Sequence, residues 1–380
     1  MRGYRNEYTR EQTGADRSRK TRKKRSSHRR RTLAVVCYMA IVLGCCIFLY
    51  NSLDVSYGSE ENRTGLNNLS SVDMDFQGTP GQGGEEASSM GDGSQDAIPP
   101  DLMSGSIKLD KLHSPYVILM DAATGQIIAE KNSGARMYPA SMTKLMAALV
   151  AVEHTEDQAV DVEIPQSIFA GLYLEHASLA GFEPGEKVSP EELLYGMLLP
   201  SGAECCSTYA LWLAGSEEDF VGWMNDKAEA LGMENTHFVN TTGLHDEGHY
   251  SSARDMAILL RECLKNDTLR RVLSAESFQT APTAQHPQGL TLESTLFQAI
   301  TQDRELLRQK SEGERAGATL LGGKTGYTSQ AGLCLASFAL INGREYLLVT
   351  AGAEGNHYTE AFHVQDALEV YAQIAAVTKE

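Results

Sequence analysis

Apolar positions along the chain fall into three regimes. Residues 33–50 form a run of 18 without a single charge, just after Arg29-Arg30-Arg31 and Thr32. Such a run approaches the ~20 residues that span a bilayer as a helix. From 51 to about 106 apolar residues are sparse among Gly, Ser, Asn, Asp and Glu, with Gly-Thr-Pro-Gly-Gln-Gly-Gly at 78–84. That stretch has too little to bury and reads as a disordered tether. From Ile107 onward the pattern becomes that of a folded domain.

Within the domain, apolar runs at 116–121 and 126–131 flank Ala122-Ala123-Thr124-Gly125 and predict a β-hairpin with glycine in its turn. Pro139 biases the chain to enter a helix just after it. Met142, Leu145, Met146, Leu149 and Val150 then recur at helical spacing, with alanines at 147, 148 and 151 filling much of the remainder. This predicts a helix buried nearly all round. Ser189-Pro190-Glu191-Glu192 combines a cap, a first-turn proline and a capping-box glutamate, so a helix should start there and run to about Leu198. Ser201-Gly202-Ala203-Glu204 repeats the Ser-x-x-Glu signal before a helix over 205–214, which makes Ser201 a candidate cap. Further helices are expected over 217–231 and 253–266, whereas the pattern over 277–316 supports no assignment. Runs at 333–341 and 344–352 joined by Asn342-Gly343 predict a second hairpin, residues 324–328 a strand, and 358–377 a closing helix. Strands at both ends around a helical middle predict an α+β fold, an α/β sandwich in which both ends complete one antiparallel sheet with helices on its faces.

Charge divides the chain the same way. The 380 residues carry a formal net charge of -17, yet residues 1–31 hold 13 Lys/Arg against three acids, so the head is +10 and the remainder -27. A body this acidic argues against nucleic acid as the partner. The basic head is instead a topology signal for the apolar run after it. The expected organisation is a cytoplasmic tail (1–31), a single-pass anchor (32–51), a linker (52–106) and an extracytoplasmic domain (107–380). A cleaved signal peptide, or acylation at Cys45 in Val-Leu-Gly-Cys, is the alternative for the apolar run. Cys205, Cys206, Cys263 and Cys334 show no paired zinc spacing and read as small buried apolar residues.

The chemistry begins at Ser141-Met142-Thr143-Lys144. A serine and a lysine three apart at a helix start share one face, close to free N–H groups and the positive end of the helix dipole. A lysine on a buried helix loses solvation, which lowers its pKa and suits it to act as base toward the serine. Taken alone the pair is a weak pattern, since a cap plus a solvated lysine gives the same letters. Two further motifs follow in order, Ser201-Gly202-Ala203 and Lys324-Thr325-Gly326. His245 and His249 flank Asp246-Glu247, but Gly243 and Gly248 make this a loop and the glutamate is at the wrong offset for His-Glu-x-x-His, so no metal is expected.

The three motifs together, with Met120-Asp-Ala-Ala-Thr-Gly125, Gly243-Leu-His-Asp-Glu-Gly-His-Tyr250, Ser252-Ala-Arg-Asp-Met-Ala257 and Gly323 to Gly332, resemble the low-molecular-mass penicillin-binding proteins, the serine D-alanyl-D-alanine carboxypeptidases. The resemblance covers about 107–377. It implies a β-lactamase/transpeptidase-like fold with no cofactor, acting on peptidoglycan stem peptides that end in D-Ala-D-Ala and acylated by β-lactams. It also implies roles: Ser141 as nucleophile, Lys144 as its base, Ser201 as relay to the leaving D-alanine. Lys324 and Thr325 would hold the terminal carboxylate, Gly326 would admit the substrate backbone, and the N–H groups of Ser141 and Tyr327 would form the oxyanion hole. One position departs from the pattern, Ala203 where the family usually has Asn. A β-lactamase is the enzymatic alternative, and Ala203 motivates a second one, a catalytically weak peptidoglycan-binding protein.

Overall fold

The structure is a computed structural model that describes Leu102 and residues 105–356 and 358–378. The expected tail, anchor and most of the linker lie outside the described residues. Elements follow in the order β1 (Tyr116–Asp121), β2 (Ile127–Lys131), α1 (Lys144–His154), β3 (Val162–Glu163), α2 (Phe169–Leu174), β4 (Lys187–Val188), α3 (Pro190–Leu198), α4 (Ala203–Ala214) and α5 (Glu217–Ala230). After these come α6 (Ala253–Cys263), α7 (Asp267–Leu273), β5 (Ser277–Gln279), β6 (Thr291–Glu293), α8 (Thr295–Gln302), α9 (Arg304–Arg315), β7 (Ala318–Thr328), β8 (Gly332–Ile341), β9 (Arg344–Ala353) and α10 (Phe362–Val377).

Five strands form an antiparallel sheet in the order β2-β1-β9-β8-β7, so the first hairpin pairs with the last, as the pattern at the two ends predicted. Successive side chains of a strand face opposite sides, and here both sides are covered. Ile118, Met120, Phe338, Leu347 and Val349 pack with α1, α3, α4 and α6. Val117, Leu119, Leu335, Leu348 and Tyr346 pack on the other face with α8 and α10, and Leu102 joins that second core. The nearly unbroken apolar runs of β8 and β9 follow from this double coverage.

Local signals account for several element ends. The capping box forms at α3, where the Ser189 hydroxyl accepts from Glu192 N–H at 3.2 Å and Glu192 Oε2 accepts from Ser189 N–H at 2.8 Å. The hairpin turn at Gly125 has φ +74, a value that favours glycine. The expected helix over 253–266 ends earlier because Asn266 caps a new one: its Oδ1 accepts from Thr268 and Leu269 N–H, starting α7. The unassigned 277–316 stretch holds the short β5–β6 hairpin followed by α8 and α9. One expectation is corrected. Ser201 does not cap α4, since Gly202 occupies the cap position and contributes no side-chain bond. Ser201 instead adopts φ +69 and turns its hydroxyl toward β7.

Candidate active site

β7 is an edge strand, and its open side receives the 3₁₀ turn Ala140–Thr143 that leads into α1. Glycine makes this approach feasible. A Cβ at Gly326 would lie 3.0 Å from Ser141 N and 3.2 Å from both Ala140 Cβ and Met142 N. The structural requirement visible at Gly326 is thus packing of the Ser141 turn against the strand. Gly243 also presses on this turn, where a Cβ would come within 1.9 Å of the Ala140 carbonyl oxygen. Ala140 has φ +46, a left-handed conformation that costs a non-glycine residue on the order of 1–2 kcal/mol. Strained backbone at Ala140 and Ser201 flanks the two serines of interest.

Lys144 is 2% exposed and begins α1. Its Nζ donates to Ser141 Oγ at 3.0 Å and to the Thr242 carbonyl at 2.7 Å. Burial lowers its pKa below the ordinary lysine value, as the apolar pattern predicted. Cys205 and Cys206 beside it stay as thiols, with burial pushing Cys206 up to about 12. They are free, buried residues, as the spacing had suggested.

Lys324 is 1% exposed. Its Nζ donates to Ser201 Oγ at 3.1 Å and to the Thr325 carbonyl at 2.9 Å. Desolvation, followed by the charge of Lys144, brings its pKa well below the usual range. Thr325 Oγ1 bonds Thr295 Oγ1 at 2.6 Å, at the start of α8. The turn carrying Ser201 is held by Gly202 N–H to the Gly196 carbonyl and Ala203 N–H to the Ser178 carbonyl, each 2.8 Å. Glu204, 0% exposed, accepts from Ala180 N–H at 2.6 Å and Gly181 N–H at 2.9 Å. Burial raises its pKa despite those bonds.

Ser141, Ser178 and Tyr327 stand between two clefts. One of about 760 Å³ is lined by Lys144, Ala203, Thr242 and Asp246 among others. The other, about 310 Å³, is lined by Ser201, Thr295, Thr325 and Gly326. The structure thus brings Ser141, Lys144, Ser201, Lys324, Thr325, Gly326 and Tyr327 to one place. Sequence reasoning missed three contributors. Thr242 acts through a carbonyl, which no residue type announces; Thr295 fell in the unassigned stretch; and Ser178 stands on a loop between motifs.

His249 is fully committed: Val239 N–H donates to its Nδ1 at 3.1 Å and its Nε2 pairs with Thr143 Oγ1 at 2.7 Å. Burial lowers its pKa to about 4, which keeps the ring neutral. His245 packs edge-on against Tyr138. Among the described residues no group of three or more His, Cys, Asp and Glu is placed to hold a metal ion.

Known proteins are similar to this chain in sequence and fold. DacF of Bacillus subtilis, a D-alanyl-D-alanine carboxypeptidase, is 40% identical over 159 residues, 40% of each chain. DacD of Escherichia coli, another, is 30% identical over 257 residues, 64% of this chain and 59% of that one. The matches therefore span less than two thirds of these relatives' own length. The crystal structure of the Streptomyces K15 DD-transpeptidase superposes with a TM-score of 0.59 at 25% identity, covering 70% of this chain and 99% of that chain. A D-alanyl-D-alanine carboxypeptidase structure from Mycobacterium tuberculosis shares the fold, with a TM-score of 0.59 at 24% identity over 72% of this chain and 95% of that one. The family model of peptidase S11 matches residues 104–355, more than half the sequence, and with the motifs in place the chain belongs to that family, described as D-alanyl-D-alanine carboxypeptidase.

Proposed function

We propose that the protein removes the terminal D-alanine from peptidoglycan stem peptides through an acyl-enzyme on Ser141. The observation that carries this reading is the buried, pKa-lowered Lys144 ammonium site 3.0 Å from Ser141 Oγ. Neutral Lys144 takes the Ser141 proton as Oγ attacks the carbonyl between the two D-alanines. The N–H groups of Ser141 and Tyr327 receive the oxyanion. Ser201 accepts from Lys324, which leaves its own O–H to donate to the departing amine as the C–N bond breaks. The proton that Lys144 took from Ser141 replaces it and leaves Lys144 neutral for the water step. Water then cleaves the ester and restores Ser141.

The two lysines explain how substrate would arm the site. Both are desolvated, and the charge of Lys144 further lowers the tendency of Lys324 to carry a proton. A substrate carboxylate beside Thr325 favours the charged form of Lys324. Charged Lys324 in turn drives Lys144 toward the neutral amine that can act as base.

Incubation of the purified protein with a penicillin, followed by intact mass, tests the assignment. An adduct of the whole antibiotic that vanishes in Ser141→Ala supports it, together with D-alanine release from a peptide ending in D-Ala-D-Ala. Hydrolysis of the antibiotic at many turnovers per protein would favour a β-lactamase instead. Binding of stem peptide without any D-alanine release would favour a wall-binding protein.

We also propose that residues 33–50 anchor the protein with its N-terminus cytoplasmic and its catalytic domain outside. The basic head and the uncharged run support this. No helix among the described residues is long and apolar enough to cross a membrane. Protease added to cells with a permeable wall should cut the catalytic domain from a membrane-retained stub, and resistance of that domain would overturn the orientation.

A further inference from the structure

We infer that His249 is a positioning residue that fixes the Ser141–Lys144 geometry by donating a hydrogen bond to Thr143. The inference rests on the reading of Ser141 as nucleophile and deepens it.

A single loop, residues 237–251, grips the segment 137–144 at four successive points. Met137 and Ser251 exchange backbone hydrogen bonds of 2.8 and 2.9 Å. Gly243 lies under the left-handed Ala140. The Thr242 carbonyl takes Lys144 Nζ at 2.7 Å, and the His249 ring meets Thr143 at 2.7 Å. The loop is itself braced. His237 and Tyr250 exchange backbone bonds, and Asn240 Oδ1 accepts from Gly243 N–H at 2.8 Å.

The direction of the His249 bond follows from its other nitrogen. A backbone N–H can only donate, so Val239 N–H requires a lone pair on Nδ1. A neutral ring then carries its hydrogen on Nε2, and Nε2–H donates to Thr143 Oγ1. Thr143 is 0% exposed and stands between Ser141 and Lys144, where the 3₁₀ turn passes into α1. A rotation at this junction would move Ser141 Oγ relative to Lys144 Nζ. The bond matters more in this chain because Ala203 offers Lys144 no side-chain partner. Orientation of the base therefore leans on the loop's Thr242 carbonyl and its His249 latch.

The test compares acylation by a penicillin and D-alanine release in five variants of the full-length protein. Gln places an amide N–H where Nε2–H stands, whereas Asn keeps an acceptor for Val239 but nothing for Thr143. His249→Gln should acylate within about threefold of wild type, and His249→Asn and His249→Ala should fall about tenfold or more. In a Thr143→Val background His249→Ala should cost nothing further. Thermal midpoints of His249→Gln and His249→Asn separate this role from simple stability, because their rates should differ even where their midpoints agree. Equal rates for the Gln and Asn variants, or an undiminished cost of His249→Ala in Thr143→Val, would overturn the inference. If the wild type neither takes up penicillin nor releases D-alanine, the functional reading fails. Imidazole ¹⁵N shifts of the wild type then still decide the bond: a proton on Nδ1 overturns it, and one on Nε2 supports it.

Discussion

The Ser141 turn at 139–144 and the Ser201 turn at 199–204 solve one problem with different means. Each bends through a non-glycine residue of positive φ, Ala140 at +46 and Ser201 at +69, and each sets a serine beside a buried lysine. Both lean on glycine packing, for a Cβ at Gly202 would meet Ala180 N at 2.9 Å much as one at Gly243 would strike Ala140. The holders differ. The first turn is fixed by backbone carbonyls and a neutral histidine, the second by the buried carboxylate of Glu204. The neutral holders in contact with Lys144 add no charge that would favour its ammonium form, so burial keeps its pKa below the ordinary lysine value even though Glu204 acts to raise it. The second turn carries no proton-accepting amine of its own and tolerates a carboxylate.

Removing the reacting groups separates the turns most sharply. Ser141→Ala should abolish D-alanine release and penicillin uptake, and Lys144→Ala should lower the acylation rate about 10³-fold or more, measured by stopped-flow or mass. The pH profile comes next. At saturating substrate, whose carboxylate favours the charged form of Lys324, D-alanine release should rise with pH as Lys144 loses its proton, below the ordinary lysine pKa, and fall at higher pH as Lys324 discharges. In Lys324→Arg the acidic limb should remain and the alkaline limb move upward, since guanidinium stays charged. An unchanged alkaline limb would remove Lys324 from the carboxylate site.

Gly243→Ala attacks the first turn's packing. With φ +81 and a backbone oxygen 1.9 Å from the new Cβ, it should destabilise the fold by about 3 kcal/mol or more in chemical denaturation. Glu204→Ala does the same to the second turn by leaving Ala180 and Gly181 N–H without an acceptor, for about 2–4 kcal/mol. Glu204→Gln keeps an acceptor and should cost less. Ala203→Asn is expected to have the smallest effect: an amide facing the Lys144 cleft should raise acylation by up to about tenfold, equivalent to ~1.4 kcal/mol. A fall in rate would show that the loop 237–251 has no use for that amide.

The particular elements show why some features were legible and others not. The capping box at Ser189 and the Asn342-Gly343 turn are local interactions, so a few neighbouring residues specify them. The doubly buried sheet was legible too, because uninterrupted apolar runs have few other uses. Ser201 misled for the same reason that Ser189 did not: its Ser-x-x-Glu letters match a cap, but Glu204 bonds the distant Ala180 and Gly181, and Gly202 caps the helix. The sequence by itself determined the three motifs, their order, and the burial that lowers the pKa of Lys144, since these follow from residue type and period. The tertiary structure decided what holds them: the Thr242 carbonyl on Lys144, Thr295 on Thr325, and His249 on Thr143. Those contacts join residues 30 to 106 positions apart, partly through backbone atoms that every residue possesses. Only folding brings such groups to hydrogen-bonding distance, and no local pattern records it.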